Sequence, residues 1–205
     1  MKKTLGFLCG TLFFLLFLTP CYGEDRAYVS LNAGLLMPKE MHVDDVRFSF
    51  ENSPVGVFAL GQRFRDRFRG EVEFSLSKYK VDKAQFEGLT FSPDGDITSI
   101  SLLVNGYLDF ITDGPITPFL TAGVGGSRLS FSDMKVSGQT FGDGESDTDF
   151  TYQVGAGIEV ALDKQVSIDL KYRYLVIRDD GEELPSHNLF FGVKVFFNSL
   201  LDSSD

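Results

Sequence analysis

Residues 150–174 read FTYQVGAGIEVALDKQVSIDLKYRY, one rule stated twice with a turn between. In the first half Phe150, Tyr152, Val154, Ala156, Ile158, Val160 and Leu162 alternate with Thr151, Gln153, Gly155, Gly157, Glu159 and Ala161. After Asp163-Lys164-Gln165 the pattern restarts, and Val166, Ile168, Leu170, Tyr172, Tyr174 and Val176 alternate with Ser167, Asp169, Lys171 and Arg173. A period of two sends successive side chains to opposite faces, so each half is a strand with an apolar and a polar side. Each runs for about a dozen residues, longer than the ~5–6 usual in soluble sheets and matched to the ~9–11 that cross a bilayer at a tilt. A soluble sandwich would turn Asp169, Lys171 and Arg173 to water; a small barrel would turn them into its lumen.

Working outward, the same alternation recurs. In 27–35, Ala27, Val29, Leu31, Ala33 and Leu35 oppose Tyr28, Ser30, Asn32 and Gly34. Residues 55–64 follow less cleanly, with Phe58, Leu60 and Phe64 outward. In 68–79, Phe68, Val72, Phe74 and Leu76 oppose Arg69, Glu71, Glu73, Ser75 and Ser77. In 97–110, Ile100, Leu102, Val104, Leu108 and Phe110 oppose Ser99, Ser101, Asn105, Tyr107 and Asp109. Residues 118–129 and 187–197 complete a set of eight strands with those of 150–174.

The connections alternate in length. Long loops are predicted at 37–53, 80–96, 130–149 and 178–185, and short turns at Asp66, 112–115 and 163–165. A soluble barrel has no reason to gather every long connection at one end, whereas an up-and-down membrane barrel does so, with short periplasmic turns and longer external loops. The fold class that follows is all-β: an eight-stranded antiparallel up-and-down transmembrane β-barrel. Phe110, Phe150, Tyr152, Tyr174 and Phe197 fall toward strand ends on the outward face, where such barrels carry aromatic girdles; the competing assignment puts them in a sandwich core. All four long loops are net acidic: 37–53 sets Lys39 and Arg47 against Glu40, Asp44, Asp45 and Glu51, and 178–185 sets Arg178 against Asp179, Asp180, Glu182 and Glu183.

The N-terminus has the layout of a secretory signal: Lys2 and Lys3, a short apolar run, then Cys21 and Gly23 before a cut after Gly23. The apolar run is shorter than the ~20 residues of a spanning helix, and Pro20 fits a lipoprotein signal at Cys21 poorly. The domains read as a signal peptide at 1–23, a barrel at 24–197 and a short C-terminal periplasmic extension at 198–205. Both cysteines, Cys9 and Cys21, lie in the leader, so the exported chain has no disulfide framework. Loss of Lys2 and Lys3 takes the formal charge from −10 to −12. Such an acidic chain is a poor partner for nucleic acid.

Inward parity selects ten charged residues: Arg63, Arg69, Lys171, Arg173 and Lys194 against Glu71, Glu73, Asp109, Glu159 and Asp169. Eight strands enclose a space only about wide enough for side chains. Charges so confined must pair, because an unpaired buried charge costs several kcal/mol. The expectation is a lumen plugged by ion pairs; a gated ion path through them is the alternative. Gly123-x-Gly125 and Gly155-x-Gly157 do not complete GxGxxG, since the sixth positions are Arg128 and Val160. Inward glycines at this spacing are expected to make room for long side chains from across the barrel. Asp143, Glu145, Asp147 and Asp149 resemble a calcium loop only superficially, with Thr148 at the glycine position and Val154 at the bidentate glutamate position; a solvated acidic loop is the default. No catalytic, cofactor-binding or metal-binding residue is assigned.

Pro118-Phe119 with Ala122-Gly123-Val124-Gly125, then 150–157, then Asp169-Leu-Lys-Tyr-Arg-Tyr174 resemble the last four strands of the bacterial outer-membrane β-barrel domain family, which includes OmpA-like, Opa-like and rickettsial surface-antigen barrels of eight strands. Arg63-Phe64, Phe68-Arg69, Glu71 and Glu73 resemble its second and third strands. The resemblance implies a bacterial outer-membrane location, contact with outer-membrane lipid and lipopolysaccharide, a monomeric state, and a structural or surface-interaction role of the adhesin or antigen kind toward an extracellular or host ligand. It also implies an assembly signal in the last strand, which Gly192, Val195 and Phe197 fit, although 198–205 extends past it; the partner would be the outer-membrane assembly machinery. Some such barrels are lipid A deacylases with a membrane-facing His and Ser separated by one residue, His first. Here Ser186 directly precedes His187, so the chain is read as a non-enzyme, with a deacylase-like enzyme or a narrow channel as the alternatives.

Overall fold

Strands that are apolar on one side and polar on the other leave no open edge only when the sheet closes on itself. The protein, described here as a computed structural model covering residues 26–39, 41–43, 46–64, 67–86, 89–91, 96–131, 134–136, 139–141, 148–179 and 182–197, solves the problem in that way. Eight long strands form the wall: β1 (Arg26–Pro38), β2 (Ser53–Phe64), β3 (Phe68–Phe86), β4 (Asp96–Asp109), β5 (Ile116–Phe131), β6 (Thr148–Ala161), β7 (Val166–Asp179) and β8 (Glu182–Phe197). Each pairs antiparallel with the next. The ring closes between β1 and β8, from Ala27 opposite Phe197 to Pro38 opposite Ser186. The segment expected to be a signal peptide (1–23), the expected extension at 198–205 and Asp66 lie outside the described residues.

Parity decides the two faces throughout. Leu31, Phe58, Phe74, Leu102, Leu120, Val154, Leu170 and Phe191 point outward and are exposed. Their neighbours Ser30, Asn32, Glu73, Ser101, Thr121, Gln153, Lys171 and Asn188 point inward and are buried. A wall that is apolar outside and polar inside is the inverse of a soluble barrel and suits hydrocarbon, where every backbone group must be paired within the protein. Phe110, Phe150 and Phe197 are exposed on the outer face, and Tyr152 and Tyr174 are half-buried there.

At one end the connections are short. The 162–165 turn is held by Asp163, whose Oδ1 accepts from the N–H groups of Gln165 and Val166 at 2.6 and 2.7 Å, the local bonding that makes Asp a turn former. Arg26 ties the start of β1 to this turn through the Lys164 carbonyl at 3.1 Å.

The other end departs from the sequence reading. The four segments expected to be long loops contain further β-structure. Met41–Val43 pairs with Val46–Glu51, which continues along the upper part of β3 from Phe86 to Lys80. Leu89–Phe91 folds back on β3. Met134–Val136 pairs with Gln139–Phe141. β7 and β8 stay paired out to Asp179 opposite Glu182. The reason is that backbone N–H and C=O groups beyond the membrane still need partners, and alternating Val, Phe and Met residues continue through these segments beneath their charges and prolines.

Candidate functional site

The chemistry of this chain is gathered in the barrel interior, which is layered along its axis. Nearest the short turns, Arg69 from β3 donates to Asp109 Oδ1 through Nε at 3.1 Å and Nη2 at 2.7 Å, and through Nη1 to Glu159 Oε2 at 2.8 Å. Glu159 also receives Arg63 at 3.2 Å and Lys194 at 2.9 Å, and Lys194 reaches Asp169 at 2.8 Å. Arg63 and Arg69 stand directly opposite each other on β2 and β3. That like-charge pair is held by Asp109 from the adjoining β4 and by Glu159 from β6, and only closure of the barrel brings Glu159 within reach.

The middle layer centres on two glutamates of β3. Glu71 accepts from the hydroxyls of Tyr28 and Tyr107, each at 2.9 Å. Glu73 binds Arg173 at 2.5 Å and receives the Asn105 amide at 2.9 Å; Gln153 in turn donates to Asn105. Lys171 is held more loosely, 3.4 Å from the Tyr107 hydroxyl and 4.0 Å from Glu73. Aromatic faces complete the coordination of the cations: Arg69 lies 4.7 Å from the Tyr107 ring centroid and Arg173 lies 4.6 Å from that of Phe190, contacts that strengthen out of water. The space between Asn32, Glu71, Asp169, Lys171, Lys194 and their neighbours is too narrow to admit a water-sized sphere.

Toward the long-hairpin end the interior turns apolar. A short hydroxyl ladder, Thr151 to Ser127 at 2.6 Å and Ser127 to Ser101 at 2.7 Å, marks the change. Beyond it Leu36, Val55, Val57, Tyr79, Ile97, Leu129, Leu175, Ile177 and Leu184 pack into a dry cluster with Leu103 and Phe190. Sequence reasoning missed this layer, because apolar residues at inward parity look like lapses in the alternation. Their concentration toward one end of seven of the eight strands is the signal that could have found it.

All ten charged residues selected by parity lie on the inward face, Arg63 being the one partly open, at 27% exposure of its side chain. The inward glycines accommodate neighbours from adjoining strands, which corrects the expectation of side chains from across the barrel. Tyr28 lies over Gly61, Phe190 over Gly34 and Phe119 over Gly157, each the direct cross-strand partner. So narrow an interior forces large side chains to lie along the wall. Of the last-strand residues, Gly192 sits against Asn32 and Asp169 inside, while Val195 and Phe197 are exposed outside.

Ser186 and His187 are adjacent in β8 and therefore face opposite ways. Ser186 is fully buried inside, with the Asn188 amide at 3.3 Å. His187 points outward and its Nδ1 lies 2.5 Å from the Tyr172 hydroxyl. They form no nucleophile–base pair. Among the described residues no group of three or more His, Cys, Asp or Glu side chains is arranged to hold a metal ion. Asp143, Glu145 and Asp147 lie outside the described residues.

A model of the outer membrane protein beta-barrel domain matches residues 10–197. The chain is 26% identical over 192 residues to the "Putative adhesin RC1281" of Rickettsia conorii, covering 85% of this chain and 76% of that protein. It is 28% identical over 134 residues to the outer membrane protein PagN of Salmonella typhimurium, covering 58% of this chain and 56% of PagN. The crystal structure of Neisserial surface protein A shares the fold, with a TM-score of 0.59 and 24% identity over 83% of this chain and 97% of that one.

Proposed function

The chain belongs to the outer membrane protein beta-barrel domain family and is a protein of the bacterial outer membrane, and from that premise we propose that it serves as a surface-interaction protein whose four acidic hairpin regions contact a ligand outside the cell. The observation that carries this reading is the asymmetry of the barrel. One end has tight turns, while at the other the strands extend into added hairpins. Short turns belong to the periplasmic side of barrels inserted from within, so the hairpins face outward. The likeness to a protein named as an adhesin supports the same role.

The interior acts as a plug. Ion pairs fill the periplasmic half and an apolar cluster fills the outer half, so an ion would have to break the first and dehydrate in the second. A channel reading has no continuous polar path to rest on, and the opposed faces of Ser186 and His187 weigh against a deacylase-like enzyme. The leader at 1–23 is removed on export, and the assembly machinery reads Phe197 and Val195 on the outer face of the last strand.

Three measurements test this. Protease added to intact cells should cut within 37–53, 80–96, 130–149 and 178–185 and nowhere else, and planar bilayers should carry no unitary conductance from the wild-type barrel. Cells expressing the protein should adhere to host cells or matrix, and replacement of the hairpins by short turns should abolish adhesion with the barrel intact. Steady conductance, or adhesion that survives loss of all four hairpins, overturns the reading.

A further inference from the structure

Arg26, Arg63 and Arg69 stand side by side at the short-turn end of β1, β2 and β3, Arg26 opposite Arg63 and Arg63 opposite Arg69. Like charges directly opposite one another destabilise a sheet unless carboxylates intervene. Arg69 is sealed between Asp109 and Glu159. Arg63 reaches the same two carboxylates through Nη2 alone, at 3.6 and 3.2 Å, and its Nε is buried with no hydrogen-bond partner. Arg26 donates to the Lys164 carbonyl and has no carboxylate partner among the described residues. This layer therefore sets four cations, Arg26, Arg63, Arg69 and Lys194, against three carboxylates, Asp109, Glu159 and Asp169. Asp163, at the same end, is committed to its own turn. The row is one carboxylate short where it opens to water, with Arg63 partly exposed and Arg26 half-buried at the rim.

The same rim is where β8 ends. Ala27, next to Arg26, pairs with Phe197, the last residue of that strand, and the Arg63 guanidinium carbon lies 5.1 Å from the ring centroid of Phe196. Beyond Phe197 the sequence reads Asn-Ser-Leu-Leu-Asp-Ser-Ser-Asp, with two carboxylates and no lysine, arginine or histidine. Strands lie ~4.8 Å apart, which puts Arg26 one strand and Arg63 two strands from the end of β8. Asp202 can extend up to ~17 Å from Phe197. Charge and reach both match the deficit.

We propose that Arg26 and Arg63 form a carboxylate site at the short-turn mouth of the barrel, and that its occupant is the acidic segment 198–205 of this chain. Its aspartates accept from the two guanidiniums, complete the ion-pair layer and draw the segment across the mouth. The site rests on the barrel wall alone and is independent of what the hairpins contact.

The test uses residues 24–205, which hold no cysteine, refolded in micelles with one nitroxide attached through Ser204→Cys. Electron paramagnetic resonance reads the mobility of the label, which should be restricted in this background. Asp202→Asn with Asp205→Asn, and separately Arg26→Gln, should each raise the mobility severalfold. Arg67→Gln, at an exposed cation of the same end outside the row, should leave the label restricted. Each variant is first required to show the heat-modifiable band shift of a folded barrel. A mobile label in the starting background overturns the proposal, and if Glu24→Gln with Asp25→Asn then restricts it, those carboxylates fill the site instead. Restriction that survives loss of both aspartates overturns it in favour of docking through Leu200 and Leu201. Equal release by Arg67→Gln overturns it in favour of a general attraction to the mouth.

Discussion

The ring of Phe119 lies over Gly157, its direct partner on the neighbouring strand. A methyl group on Gly157 would come within 2.5 Å of both Phe119 Cζ and the Leu170 carbonyl oxygen. The first is pinned beneath Arg69, whose guanidinium carbon lies 5.1 Å from the ring centroid, and the second is wall backbone. Neither can yield cheaply, so Gly157→Ala should destabilise the barrel by about 1–3 kcal/mol. The urea midpoint of the band shift in micelles measures it. Gly56→Ala, where nothing lies within 4 Å of the added carbon, should leave the midpoint in place.

Arg173 and Glu73 are both buried and bound to each other at 2.5 Å. Arg173→Met leaves Glu73 with an amide and a lysine 4.0 Å away. An uncompensated buried charge of this kind costs about 3–5 kcal/mol. Adding Glu73→Gln should recover a large part of the loss. The four midpoints of that double-mutant cycle should therefore show strong coupling, and additive effects would rule the pairing out.

Among the described residues Glu71 has no arginine or lysine hydrogen-bond donor; it is held by two phenols, Tyr28 and Tyr107. Tyr28→Phe and Tyr107→Phe should each cost about 1–3 kcal/mol by stranding one carboxylate oxygen. The double variant should lose more than the sum of the two, since no phenol remains to hold the charge. Unfolding midpoints with and without Glu71→Gln in the background would separate this effect from simple loss of ring packing.

Leu102 and Leu103 are adjacent in β4, yet one is 59% exposed and the other wholly buried. Leu102→Arg should cost about 2–4 kcal/mol by placing a charge in hydrocarbon. Leu103→Ala should cost about 2–5 kcal/mol for a different reason, a cavity in the apolar interior layer. Measured in bilayers and in water-rich micelles, the first penalty should shrink in micelles and the second should not.

The alternation made much of this architecture legible. Because Glu71 and Glu73 share parity with Arg69, and Lys171 with Arg173, the residues that face inward could be named from period two alone. Their pairing could not. Arg69 meets Glu159 across 90 positions of sequence, and only strand order and register decide that contact. The Tyr28–Glu71–Tyr107 clamp was invisible for the same reason, joining three strands that read as independent. Val57, Leu103 and Ile177 were obscured differently: an apolar residue on the polar face carries no periodic signal. The hairpins beyond the membrane were hidden by the charges of Glu40, Asp44 and Asp45, which suggest a solvated loop although Met41–Val43 and Val46–Glu51 are paired strands.

The seam between β1 and β8 joins Ala27 to Phe197, nearly the two ends of the described chain. Its formation is therefore a late event in time as well as a distant one in sequence, and contacts so far apart make folding slow. Until the eighth strand arrives, the other seven form an open sheet with two adhesive edges and an oily outer surface. A chain stopped before residue 182 would not be a smaller barrel. It would be an open ribbon with two unpaired edges, prone to pair with other chains.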